Sequence, residues 1–234
     1  MRKLDEKTIS FPVAGREITL VGDEAADIRF LQPVGKTDVS SLIAEYSCVK
    51  KENPALSRCI VAVPVENWND DLSPWAAGAV FGDRSFGSGA GITLSYLTDT
   101  LIPELSRLFP AENPKYCIAG YSLAGLFALW ASYETDAFVG AAGVSPSVWF
   151  PDFEAYTQSR ENKSRAVYLS LGRREEKTRN AVMKTVGDKI RVLHARLDGQ
   201  IPCVLEWNDG GHFADSGERL SKGLVWLERN MTDD

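Results

Sequence analysis

Tyr116-Cys117-Ile118-Ala119-Gly120-Tyr121-Ser122-Leu123-Ala124-Gly125 decides how this chain folds. Its first four residues are a short apolar run suited to a strand covered on both faces. The residues from Leu123 to about Tyr133 are apolar almost all round, which calls for a helix buried on most sides. Between the two stands Ser122. A sharp strand-to-helix turn with serine at its tip forces strained backbone angles on that serine and lifts its hydroxyl clear of the sheet. The flanking positions must be small, because strand and helix pass close together there. Gly120 and Ala124 meet that need, with alanine standing where glycine is more usual.

Outward from this turn the pattern repeats. Cys59–Val63, Val139–Val144, Ala166–Leu171 and Cys203–Trp207 are further apolar runs that read as strands. Between them lie helical periodicities. Leu94, Leu97, Leu101, Leu105 and Leu108 mark one, with Pro103 set to bend or break it. Val186, Ile190, Leu193 and Leu197 mark another, expected over 179–198. Leu220, Leu224, Leu227 and Met231 mark the last, with Asp215 and Glu218 spaced as a capping box. Upstream, residues 8–34 alternate in places, at Glu17–Val21 and then Ile28–Leu31, and read as early strands. Residues 38–50 read as a helix with Leu42, Ile43 and Tyr46 on one face. Strands alternating with helices demand a mostly parallel sheet with helices on both faces. In such sheets functional groups collect beyond the carboxyl ends of the strands.

Composition bounds the alternatives. The 234 residues suit a single domain, 1–234, and 44% hydrophobic with 25% charged residues is a globular balance. Net charge is −6, which argues against nucleic-acid binding. No apolar stretch is long enough for a membrane helix, and no apolar run follows the charged N-terminus. The expectation is a cytoplasmic protein without membrane attachment; its oligomeric state is left open. Cys48, Cys59, Cys117 and Cys203 are scattered, and the last three sit in or beside β-rich runs, as reduced buried thiols do. With two histidines and no ligand spacing, neither a metal nor another cofactor is expected.

A serine hydroxyl is a poor nucleophile near neutral pH and needs an adjacent base. His194 falls within the expected helix 179–198 and reads as structural. His212 lies in Asp209-Gly210-Gly211-His212-Phe213, directly after the last strand, where glycines free the loop to aim its ring. Serine first and histidine last is the chain order of α/β-hydrolases. The acid that orients the imidazole should follow a strand between them. Glu175, three residues past Gly172, is the first candidate and Glu176 the second; pairing of both with Arg173 or Arg174 is the competing role. Two N–H donors are also needed for an oxyanion. One is the backbone N–H of Leu123. The other is sought in Glu66–Trp75, with Trp68 first and Asn67 and Asn69 as competitors. Trp68, Trp75 and Trp149 are the candidates for an apolar acyl pocket.

These residues resemble the esterase D and enterochelin-esterase-like family. The likeness is carried by Gly120–Gly125, Ser145-Pro146-Ser147-Val148-Trp149, the Gly172–Glu175 turn and Gly210-Gly211-His212, over residues 59–230. The Ser-Pro-Ser-x-Trp segment is the more particular feature. The resemblance implies an α/β-hydrolase fold with little or no lid, and a serine esterase acting on a small-molecule ester. Acyl transfer, a siderophore-type esterase and a non-catalytic binding module on the same fold are the competing functions. A small or medium neutral or aromatic acyl group is expected, rather than a long lipid chain or a polyanionic siderophore. Asp70 and Asp71 near the entrance would repel an anion, whereas Arg84, Arg173 and Arg174 would reverse that if they converged on the cleft.

Overall fold

The computed structural model describes residues 2–5, 8–35 and 39–231. Among them runs one nine-stranded sheet: β1 (Arg2–Asp5), β2 (Thr8–Val13), β3 (Arg16–Gly22), β4 (Ile28–Val34), β5 (Arg58–Pro64), β6 (Lys115–Tyr121), β7 (Gly140–Val144), β8 (Ala166–Gly172) and β9 (Cys203–Asn208). Their spatial order is β1-β2-β3-β5-β4-β6-β7-β8-β9. The first three are antiparallel meander strands, and β3 pairs antiparallel to β5. From β5 to β9 every pairing is parallel. This is the α/β-hydrolase sheet.

The parallel strands are apolar in consecutive residues because both faces are covered. Along β5, Cys59, Val61 and Val63 join the core on one face, while Ile60 and Ala62 join the core on the other. On the latter face lie α1 (Val39–Glu52) and α8 (Ser216–Asn230), contributing Leu42, Tyr46, Leu224 and Leu227, with Met231 just past the end of α8. On the former lie the helices between β5 and β9. The most deeply placed is α5 (Leu123–Glu134), buried at every residue from Leu123 to Tyr133. Each large apolar side chain buried there contributes about 2 kcal/mol.

The strand order has a switch point. From β4 the chain crosses through α1 to β5 on one side, then returns to β6 on the other. The segments leaving β4 and β6 therefore diverge from a shared crevice, the place where open α/β sheets bind ligands. Ser122 leaves β6. The β5 segment carries the short helical turn α2 (Trp68–Asp71) and folds back through a bridge between Ala77 and Phe86.

Three local expectations change. The leucine-rich helix is interrupted: α3 (Ala90–Ser95) passes through a π-helical stretch, Tyr96–Leu101, into α4 (Ile102–Leu108). Pro103 stands at the start of α4, and the wider π turn accommodates its missing N–H. α6 (Phe153–Gln158) is short, and α7 runs over Val186–Leu197 rather than from 179. Asn180 explains the late start. Its side-chain oxygen accepts from Val182 N–H (2.9 Å) and Met183 N–H (3.0 Å), holding the chain in a turn. The capping box at α8 is absent: Asp215 adopts φ 51°, and its side chain makes no cap bond. A capping carboxylate needs extended backbone angles, which the left-handed conformation does not supply.

Among the described residues no helix is long and apolar enough to cross a membrane.

Candidate active site

Ser122 occupies φ 60° and ψ −120°, a conformation costing roughly 1–3 kcal/mol for a non-glycine residue. Surrounding packing enforces it. A Cβ on Gly120 would lie 2.3 Å from the carbonyl oxygen of Ala124. One on Gly125 would lie 2.9 Å from the carbonyl oxygen of Gly120. The Ser122 N–H donates to Val144 O (3.0 Å) and its carbonyl accepts from Leu126 N–H and Ser147 N–H. The turn is thus fastened to β7 and to its own helix.

The loop after β9 brings His212 over this turn. Its Nε2 lies 3.0 Å from Ser122 Oγ, and its Nδ1 lies 2.7 Å from Glu175 Oε2. Its backbone is held as well, because Tyr121 Oη donates to His212 O (2.6 Å). Glu175 begins a single 3-10 turn, Glu175–Lys177, just beyond β8. Its other oxygen, Oε1, accepts from Ser145 Oγ (2.7 Å), Gly172 N–H (2.8 Å) and Arg219 Nη1 (3.3 Å). Burial pushes the Glu175 carboxyl up. The hydrogen bonds from His212, Ser145 and Gly172 outweigh that, so it titrates below the ordinary glutamate range. Glu176 is turned away and pairs with Arg191 at 3.0 Å. His194 is half-buried on α7, where its carbonyl accepts from Asp198 N–H.

A cavity of about 430 Å³ opens over Ser122 and His212. Trp68, Phe81, Phe86, Trp149, Met183 and Phe213 give it apolar walls, with Asn69 and Ser147 as polar points. Phe81, Phe86 and Trp149 meet edge to face at centroid distances of 6.0–6.2 Å. Leu123 and Trp68 are the first residues of α5 and α2, so their N–H groups are among those a helix start leaves without an intrahelical partner. Both residues line the cavity.

Trp75 is placed elsewhere. Its indole N–H donates to Pro151 O (3.0 Å) and its ring packs on Phe150 and Tyr156. Phe81, Phe86, Met183 and Phe213 take the wall positions that the tryptophans alone did not mark. Asp70 and Asp71 are engaged locally, accepting from Ser88 N–H (3.0 Å) and Asn67 N–H (3.1 Å). Arg84 lines a neighbouring depression with Glu66 and Asp83, and Arg173 is exposed 3.7 Å from Asp209; neither lines the cavity over Ser122.

A hydroxyl bonded to an imidazole whose far nitrogen faces a carboxylate is arranged to lose its proton on attacking carbon. The family model described as "Putative esterase" matches residues 44–208, well over half of the chain. The chain belongs to this esterase family. That membership places it among ester hydrolases. None of the curated proteins matches it in sequence. Among solved structures, the esterase resembles a siderophore hydrolase, EstA from Aspergillus nidulans, at TM-score 0.77 and 18% identity, covering 95% of this chain and 94% of that one. It also resembles the enterobactin esterase FES from Shigella flexneri at TM-score 0.67 and 15% identity, covering 99% of this chain and 61% of that one. An S-formylglutathione hydrolase from Agrobacterium tumefaciens follows at TM-score 0.62 and 12% identity, with 96% and 95% covered. At these identities the likeness is one of fold.

Proposed function

We propose that the chain is a serine carboxylesterase that cleaves a small or medium acyl ester, aromatic or sugar-linked esters included, through an acyl-enzyme on Ser122. The observation that carries this is the chain of contacts from Ser122 Oγ to His212 Nε2 (3.0 Å) and from His212 Nδ1 to Glu175 Oε2 (2.7 Å), under an aromatic-walled cavity.

In this mechanism Ser122 Oγ attacks the ester carbonyl carbon as its proton passes to His212 Nε2. Glu175 holds the Nδ1–H tautomer and balances the imidazolium charge. The carbonyl oxygen becomes an oxyanion between the N–H groups of Leu123 and Trp68. Collapse of the tetrahedral intermediate breaks the C–O bond to the alcohol, which leaves with the proton from His212. Water then adds to the acyl-enzyme by the same steps, restoring Ser122. The acyl group rests against Phe86 and Trp149, which favours a flat or short chain. Residues 1–234 work as one domain in the cytoplasm, where thiols such as the buried Cys59 and Cys117 stay reduced.

Hydrolysis rates for acetyl, butyryl, feruloyl and palmitoyl esters, with an anionic catechol lactone alongside, test this directly. The expected order puts short or aromatic acyl esters first. Preference for the palmitoyl ester or the lactone would contradict the pocket reading, and no hydrolysis of any ester would contradict the function.

A further inference from the structure

Outside the three residues that face one another, the most constrained charged group near the site is Arg219 on α8. Its side chain is 2% exposed. Its Nη1 lies 3.3 Å from each of Tyr121 Oη, Ser145 Oγ and Glu175 Oε1. Its Nη2 donates to Asp209 O (2.5 Å). These four partners lie at or just past the carboxyl ends of β6, β7, β8 and β9. One guanidinium therefore fastens the strand ends that carry Ser122, Glu175 and His212, the last through Tyr121. Surrounding atoms leave no slack: a Cβ on Gly172 would lie 3.0 Å from Arg219 Nη1 and 2.8 Å from Gly210 O. Ser145, which bonds both Arg219 and Glu175, is itself held at φ 44°.

We infer that Arg219 is a positioning residue of the site that also supplies the buried positive charge keeping His212 an unprotonated base. This rests on the mechanism proposed above. A carboxylate beside an imidazole favours the imidazolium, which is useful in the transition state but unhelpful in the resting enzyme. With Glu175 negative and Arg219 positive, the buried cluster is neutral while His212 is neutral. Protonating His212 leaves it with an excess positive charge. The guanidinium thus opposes resting-state protonation, while its bond to Glu175 Oε1 leaves Oε2 free for the imidazole.

Other charged groups around the pair come from each neighbouring element. On the β8 side, Glu176 pairs with Arg191 of α7, and Arg173 stands near the fully exposed Asp209. From β6 comes Tyr121, whose phenol burial pushes up, despite its bonds to Ser145 and Arg219, so that it stays neutral. Asp215 and Glu218, at the start of α8, are exposed. Arg219 is the cation in direct contact with Glu175 among the described residues.

The chain has two histidines, so the His212 ring proton is assignable by NMR with Arg219 varied in a His194→Gln background. In Arg219→Met the His212 titration midpoint should rise by about one pH unit, the scale for losing one charge on the far side of the shared carboxylate in a partly buried site. The acid limb of kcat/KM should move up by the same amount. Arg219→Lys, which keeps the charge but not the fork, should lower kcat tenfold or more and leave both midpoints within a few tenths of a unit. Tyr121→Phe, which removes the bond to His212 O without changing charge, should also lower kcat without moving the midpoint. An unmoved or lowered midpoint in folded Arg219→Met overturns the inference. If that variant does not fold, Arg219→Gln takes its place, and a shifted midpoint in Arg219→Lys overturns the inference equally. Because the NMR titration needs no turnover, it separates failure of this inference from failure of the esterase mechanism.

Discussion

Replacing Glu175 with glutamine should cost about four powers of ten in kcat/KM while leaving the fold in place. The magnitude follows from which oxygen the amide can spare. Oε1 faces three donors, at 2.7, 2.8 and 3.3 Å from Ser145, Gly172 and Arg219. An NH2 group there would leave the Gly172 N–H and the guanidinium without an acceptor, at about 1–3 kcal/mol each. The amide oxygen therefore takes that side, and the NH2 faces His212 Nδ1. A donor facing Nδ1 makes it an acceptor and moves the imidazole proton to Nε2, 3.0 Å from Ser122 Oγ. That nitrogen no longer takes the serine proton. An amide in place of a triad carboxylate costs roughly 10⁴-fold, or about 5 kcal/mol of transition-state stabilisation. Steady-state hydrolysis of a p-nitrophenyl ester, with a thermal melt to verify folding, measures it. Glu176→Gln is the control and should stay within twofold, since Glu176 faces Arg191. A loss below tenfold in folded Glu175→Gln would refute the reasoning.

Two further predictions concern the scaffold. Burial, only partly offset by its bond with Gln32, pushes the Glu45 carboxyl up to about 8. Its contribution to stability is therefore complete below the unfolded value near 4.5 and is lost as pH rises through 8. Glu45→Gln should raise Tm at pH 8.5 by several degrees, as expected for a few kcal/mol in a chain of this size, and change it little at pH 4.5. Equal effects at both pH values would count against the buried carboxyl as the cause. Gly120→Ala would set a methyl 2.3 Å from Ala124 O and 2.4 Å from its carbonyl carbon. The clash is with backbone, so the variant should lose about 3 kcal/mol or more, visible in a melt, together with its activity; a wild-type Tm would contradict the close approach.

The parts of the fold legible in the sequence are those where one physical constraint acts alone. Both faces of β5 to β8 are covered, so their residues are apolar in unbroken runs, and α5 is apolar all round for the same reason. The sharp turn at Ser122 leaves a local mark because Gly120 and Ala124 must be small. Arg219 left no comparable mark. It sits one position before Leu220 on an amphipathic helix, where an arginine reads as solvated, and its burial depends on four strand ends that only the tertiary structure assembles. The cavity wall was partly hidden for a related reason. Phe81 and Phe86 come from an irregular segment without periodicity, and whether Trp68 or Trp75 turns inward depends on the α2 turn and on the Pro151 carbonyl that captures the Trp75 indole. Asp215 shows the converse case, a correct capping spacing annulled by a left-handed backbone.

In the mechanism proposed above, Ser122 is the nucleophile. Brief incubation with a fluorophosphonate ester, followed by intact-mass measurement and peptide mapping, tests it most directly. One phosphonyl group should attach per chain, on the peptide containing Ser122, in step with loss of ester hydrolysis. Labelling should vanish in Ser122→Ala, whose hydrolysis should fall by several powers of ten with its Tm retained. A chain that stays unlabelled, a label on another residue, or near wild-type hydrolysis by Ser122→Ala would contradict it.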